Sequence, residues 1–67
     1  MNQFDVLAKD LRESQQAMNA LFNEFAGHAE IRARLLDART RIGNVAAMIE
    51  DIALDLNIQE ERGKQNG

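Results

Sequence analysis

Apolar residues recur along almost the whole chain at alternating steps of three and four, and that pattern constrains the fold more than any other feature. One stripe runs Phe4, Leu7, Leu11, Ser14, Met18, Leu21 and Phe25, with the serine as its single polar member. A second runs Ile31, Leu35, Ala38, Ile42, Val45, Ile49, Ile52 and Leu56 without a polar member. Each is a heptad seam, the mark of a helix that lays one face along another helix. Proline is absent, and Ala, Leu, Ile, Arg, Glu and Gln dominate, so the fold class is all-α with no strands.

The two seams are out of phase. Phe25 to His28 to Ile31 is two successive steps of three, and one straight helix would not keep both stripes on the same side. The slip falls beside Gly27, and glycine in the left-handed conformation commonly closes the last carbonyls of a helix. The spacing therefore predicts an antiparallel two-helix hairpin: helix 1 over about residues 3 to 26, a tight turn over 26 to 30, and helix 2 over about 29 to 59. His28 is a poor N-cap for the second helix, while Glu30 in its first turn suits the helix dipole. The helical domain extends to residue 61, and the polar, glycine-containing stretch 62 to 67 is expected to be a flexible tail.

Folding back at His28 pairs Phe25 with Ile31, Leu21 with Leu35, Met18 with Ala38, Ser14 with Ile42, Leu11 with Val45, Leu7 with Ile49 and Phe4 with Ile52. On the flanks the same register sets Glu24 near Arg34 and Phe22 near Arg32, an ion pair and a cation–π contact worth about 0.5 kcal/mol each at exposed positions.

Sixty-seven residues are too few to bury a self-sufficient core, and small chains compensate with disulfides, metals or partners. With no cysteine and a single histidine, His28, the first two routes are closed and no cofactor is expected. Association remains. The simplest closed solution is a homodimer in which two hairpins pack seam to seam as a four-helix bundle. Its dimer core would be Phe4, Leu7, Leu11, Met18, Leu21, Phe25, Ile31, Leu35, Ile42, Val45, Ile49, Ile52 and Leu56.

No apolar run approaches the roughly 20 residues of a membrane span, and the start MNQFDVLAKDLRE has none of the regions of a secretory leader. A soluble, cytoplasmic protein without a membrane partner is expected.

Opposite the second seam lie Leu36, Thr40, Gly43, Ala47 and Leu54, a weakly apolar stripe of small residues that would let another backbone come close. Helix 2 is also a charge dipole: Arg32, Arg34, Arg39 and Arg41 crowd its first half, and Glu50, Asp51, Asp55, Glu60 and Glu61 its second. In an antiparallel pairing of two such helices the basic half of one meets the acidic half of the other, which sets orientation. The same arginines could hold a phosphate backbone instead, against a net charge of −3. In architecture the hairpin dimer resembles the Rop-type hairpins, which bind RNA, and that resemblance implies the alternative reading, although no residue of that family aligns with this chain. His28 in the turn is a possible pH sensor, and Met18 and Met48 are adaptable gap fillers.

Nothing supports catalysis or a small-molecule substrate. There is no Cys, Tyr or Trp, no glycine-rich phosphate loop, and the carboxylates lie along solvated helix faces. The expected function is a small non-enzymatic interaction module, an adaptor or inhibitor that self-associates and binds a larger protein through a helix face. The partner-binding candidates are Leu36, Gly43, Ala47 and Leu54, with Arg34 and Arg41 beside them.

Overall fold

The computed structural model describes the backbone of residues 2 to 66 and the side chains of residues 2 to 63. Two helices, α1 (Gln3–Glu24) and α2 (Ala29–Asn66), pack against each other as an antiparallel hairpin. The result is a rod whose Cα trace measures 59 × 14 × 11 Å.

Helix α1 begins with a capping box. The Asn2 side chain accepts from the Asp5 amide at 2.9 Å, and the Asp5 carboxylate accepts from the Asn2 amide at 3.0 Å. These bonds satisfy donors that a helix start otherwise leaves unpaired. Asn2 also reaches α2, donating to the Ala53 carbonyl and to the Asn57 side chain, both at 3.1 Å.

The turn lies where the phase slip predicts, but its chemistry differs. The helical trace stops at Glu24, and residues 25 to 27 form the turn. Neither Gly27 nor any other described residue has a positive φ, so the expected left-handed closure is not used. Phe25 instead caps α1 at φ −100°, ψ 26°, and the chain stays right-handed through shortened bonds, the His28 amide donating to the Phe25 carbonyl at 2.9 Å. The Phe25 amide on the Leu21 carbonyl at 2.9 Å and the Ala26 amide on the Asn23 carbonyl at 3.4 Å close the end of α1, and Arg32 donates to the Ala26 carbonyl of the turn at 3.2 Å. The His28 carbonyl accepts the Arg32 amide at 2.9 Å and so starts α2.

Helix α2 runs past its expected end near residue 59 and takes in residues 62 to 66, where a tail was expected; residue 67 lies outside the described residues. Gln59, Glu60, Glu61 and Arg62 are good helix formers, and a single Gly63 costs only about 1 kcal/mol against Ala, which is too little to stop a helix already propagating.

The line along which the helices touch is rotated from the expected one. On the α1 side, Phe4, Leu11, Met18 and Phe25 are half-buried as the seam predicts. Between them, however, Ala8, Gln15 and Phe22 face α2, whereas Leu7, Ser14 and Leu21 are exposed. Helix α2 repeats this. Leu35, Ile42, Ile49 and Leu56 are shared with the expected seam, but Arg39, Ala46 and Ala53 fill the contact line, and Val45 and Ile52 stay exposed. Only Ala8, Ala46 and Ala53 are buried among the described residues. Alanine at the contact lets two helix backbones approach more closely than leucine would, and the rotation puts alanine there.

The register shifts as well. Asp5 bonds Asn57, Arg12 pairs with Glu50, and Asn19 bonds Arg39, so α1 meets residues of α2 that lie later in the chain than the seam-to-seam pairing predicts, more so toward the open end than near the turn. The expected flank contacts change accordingly. Arg39, not Arg32, stacks over Phe22 at 5.6 Å, and Arg34 pairs with Glu30 of its own helix, not with Glu24.

Among the described residues no helix is long and apolar enough to cross a membrane.

Candidate interaction site

The rotation gives the hairpin two unlike faces. Advancing one residue turns a helix by about 100°. The positions three residues after each shared contact residue (Leu7, Ser14 and Leu21 on α1; Ala38, Val45 and Ile52 on α2, with Ile31 in line) therefore lie on the same rotational side of both contact lines. Because the helices are antiparallel, equal rotation in each helix's own frame brings both stripes to one face of the rod. No charged residue interrupts either stripe. Leu7, Leu21, Ile31, Val45 and Ile52 are each 41 to 47% exposed there. Beside them the shared contact residues are only half-covered, and among the described residues no large side chain is fully buried.

The opposite face is closed by polar groups. Asp5, Arg12 and Asn19 follow the shared contact residues by one position and meet α2 residues on that side. The Arg12 guanidinium donates to both Glu50 carboxylate oxygens, at 3.0 and 2.6 Å, and to the Gln15 side chain at 3.0 Å. That contact, chiefly its hydrogen bonds and then its charge, holds the Glu50 carboxyl below its ordinary value and raises Arg12. Asn57 donates to Asp5 at 3.3 Å, and Arg39 to Asn19 at 2.8 Å. Gln15 lies over Gly43, where a Cβ would come within 2.7 Å of its Nε2. The glycine thus makes room for a side chain of α1, and does not open an outer surface to a foreign backbone.

The candidate partner-binding residues do not form one patch. Leu36 and Gly43 border the polar face, Ala47 and Leu54 continue their stripe toward the outside of α2, and Leu36 and Leu54 are exposed. Arg34 and Arg41 lie on the other side of α2, along the outer edge of the uncharged face. The arginines have partners within the chain: Arg34 with Glu30 at 3.0 Å, Arg41 with Asp37 at 3.1 Å, Arg39 with Asn19 and Phe22, and Arg32 with the turn carbonyl. The His28 ring packs against Phe25 with centroids 5.7 Å apart.

The residues missed from sequence are Asn2, Ala8, Gln15, Ala46, Ala53 and Asn57. A second heptad was present, Phe4, Ala8, Leu11, Gln15, Met18 and Phe22, and Asn2 with Asp5 has the spacing of a capping box. Among the described residues there is no pocket and no cluster of His, Asp or Glu arranged to hold a metal ion. Neither a protein-family model, nor a curated protein, nor a solved structure matches the chain.

Proposed function

We propose that the protein is a non-enzymatic helical interaction module that self-associates through its uncharged face into a four-helix bundle and serves a larger protein as an adaptor or inhibitor. The observation that carries this reading is the exposure of Leu7, Leu21, Ile31, Val45 and Ile52 side by side while, among the described residues, only alanines are buried. The hairpin exposes 5232 Å², whereas a compact monomer of its mass exposes about 4200 Å². The surplus, roughly 1000 Å², is of the order of the 800 Å² that one partner contributes to a standard interface. A larger protein would dock on the outer side of α2, at Leu36 and Leu54, in the helix-in-groove manner. Occupation of Arg32, Arg34, Arg39 and Arg41 by partners in their own chain favours a protein partner over a phosphate backbone.

Size-exclusion chromatography with light scattering tests the reading, with refractive-index detection because the chain has no Trp or Tyr. A dimer free of 260 nm absorbance is expected. A folded monomer at millimolar concentration would remove the self-association, and a co-eluting nucleic acid would replace the proposal with the phosphate-binding reading. If the outer side of α2 is the docking surface, Leu36→Glu with Leu54→Glu leaves the dimer intact and abolishes partner binding.

A further inference from the structure

How the second copy lies on the uncharged face, which rests on the self-association proposed above, can be argued from charge and from the levels of the side chains. A two-fold dimer joined face to face has two arrangements: both turns at one end of the bundle, or turns at opposite ends. The hairpin is electrically polar along its length. Its turn half, residues 17 to 43, carries four arginines against three carboxylates, net +1. Its open half, residues 2 to 16 with 44 to 63, carries three cations against eight carboxylates, net −5. Turns together would set the two acidic halves side by side, whereas turns apart lay each acidic half along a basic one, and charge complementarity of this kind fixes the register of an interface.

The side chains point the same way. The Arg12–Glu50 pair on one side and the Gln15–Gly43 contact on the other bracket Ser14 and Val45, which therefore sit at one level near the middle of the rod. A two-fold axis crossing the rod at that level sets Ser14 against Ser14 of the second copy, Val45 against Val45, Leu7 against Leu21, and the small Ala38 against the larger Ile52. Each serine hydroxyl then has the other as a hydrogen-bond partner, and none is buried against methyl groups. On the outer edge, Arg34 comes level with Asp55 of the second copy. With the turns together, Glu24 would lie level with Arg34, but each Ser14 would press on Val45 and the acidic halves would adjoin.

We infer that the occupant of the uncharged face is a second copy of this chain lying end over end, with its turn beside the open end of the first, Ser14 and Val45 each meeting their own counterpart on the two-fold axis and Arg34 facing Asp55.

The chain has no cysteine, so single-cysteine variants report the arrangement directly. Ser14→Cys and Val45→Cys are both small changes. Under oxidation each variant alone should form a covalent dimer, because a disulfide needs Cα atoms within about 7 Å. An equimolar mixture of the two variants should give no mixed dimer. A covalent dimer only in the mixture would establish turns together and overturn the inference, and so would a dimeric protein in which no combination cross-links. A monomer by light scattering would instead remove the self-association reading itself. As a second measurement, Arg34→Glu and Asp55→Arg should each raise the dimer dissociation constant about fivefold, and the double variant should restore it. No restoration would remove the Arg34–Asp55 contact.

Discussion

The two faces of the hairpin are built from the same helices at the same levels, yet one is closed by directional bonds and the other is uncharged and, apart from Ser14, apolar. On the polar face Arg12, Glu50, Asp5, Asn57, Asn19 and Arg39 pair across the helices. On the uncharged face Leu7, Leu21, Val45 and Ile52 flank the contact line with nothing over them. The difference teaches where the stability of such a chain must come from. Exposed ion pairs and amide bonds set orientation but contribute little free energy each, while covering aliphatic side chains contributes about 25 cal/mol per Å². The polar face therefore chooses the rotation of the helices, and in the proposed dimer the stabilising burial lies on the other side.

The largest effect should come from charging the uncharged face. Val45→Asp, or Ile52→Asp, should abolish self-association by light scattering, since an unpaired carboxylate buried at a helix interface costs several kcal/mol, on the order of 3 or more. The helicity seen by circular dichroism should fall with it. An unchanged dimer would break the comparison, because the face would then carry no interface. Next is the residue beside it. Ala46 sits fully buried between the helices, so Ala46→Leu should lower unfolding stability by about 1 to 3 kcal/mol through overpacking, with the two helices forced apart. Tolerance of leucine there would mean that the contact line lies along Val45 after all.

A smaller loss is expected from Asn2→Ala, which removes the cap of α1 and the bonds to Ala53 and Asn57. About 1 kcal/mol should be lost in chemical denaturation, and fraying of the first turn should be visible in amide exchange. The smallest effect belongs to Arg12 and Glu50. The Glu50 carboxyl is held below its ordinary value in the fold, so its contribution is present above the value it has in the unfolded chain and is lost as the pH falls through the depressed one. Glu50→Gln should therefore shift the melting temperature slightly at neutral pH and not at all in strong acid, and added salt should shrink the difference. An effect as large as that of Val45→Asp would make the polar face the stabilising one.

Particular residues show how far the sequence could be read. The helices, their antiparallel pairing and the place of the turn follow from spacing and from a single phase slip, all of which are local. Gly27 marked the turn, yet its left-handed conformation did not follow, since a right-handed closure with the Phe25 and Ala26 amides on the Leu21 and Asn23 carbonyls satisfies the same helix end. The expected seam included half of the contact line. Phe4, Leu11, Met18, Ile42, Ile49 and Leu56 serve both the contact and the uncharged face, so a heptad count does not tell which neighbouring stripe completes the contact. Leu7 looks like a better core residue than Ala8 by hydrophobicity alone, and Val45 than Ala46.

By itself the sequence determined the helical content, the hairpin, the position of its turn and the charge polarity along its length, because periodicity and composition act through the backbone of each segment alone. Only the tertiary structure decided the rotation of the helices, the register and hence which aliphatic side chains remain uncovered. Those depend on how closely two backbones can approach and on which polar groups meet across them: alanines allow the approach, and Arg12 with Glu50 and Asn2 with Asn57 hold it.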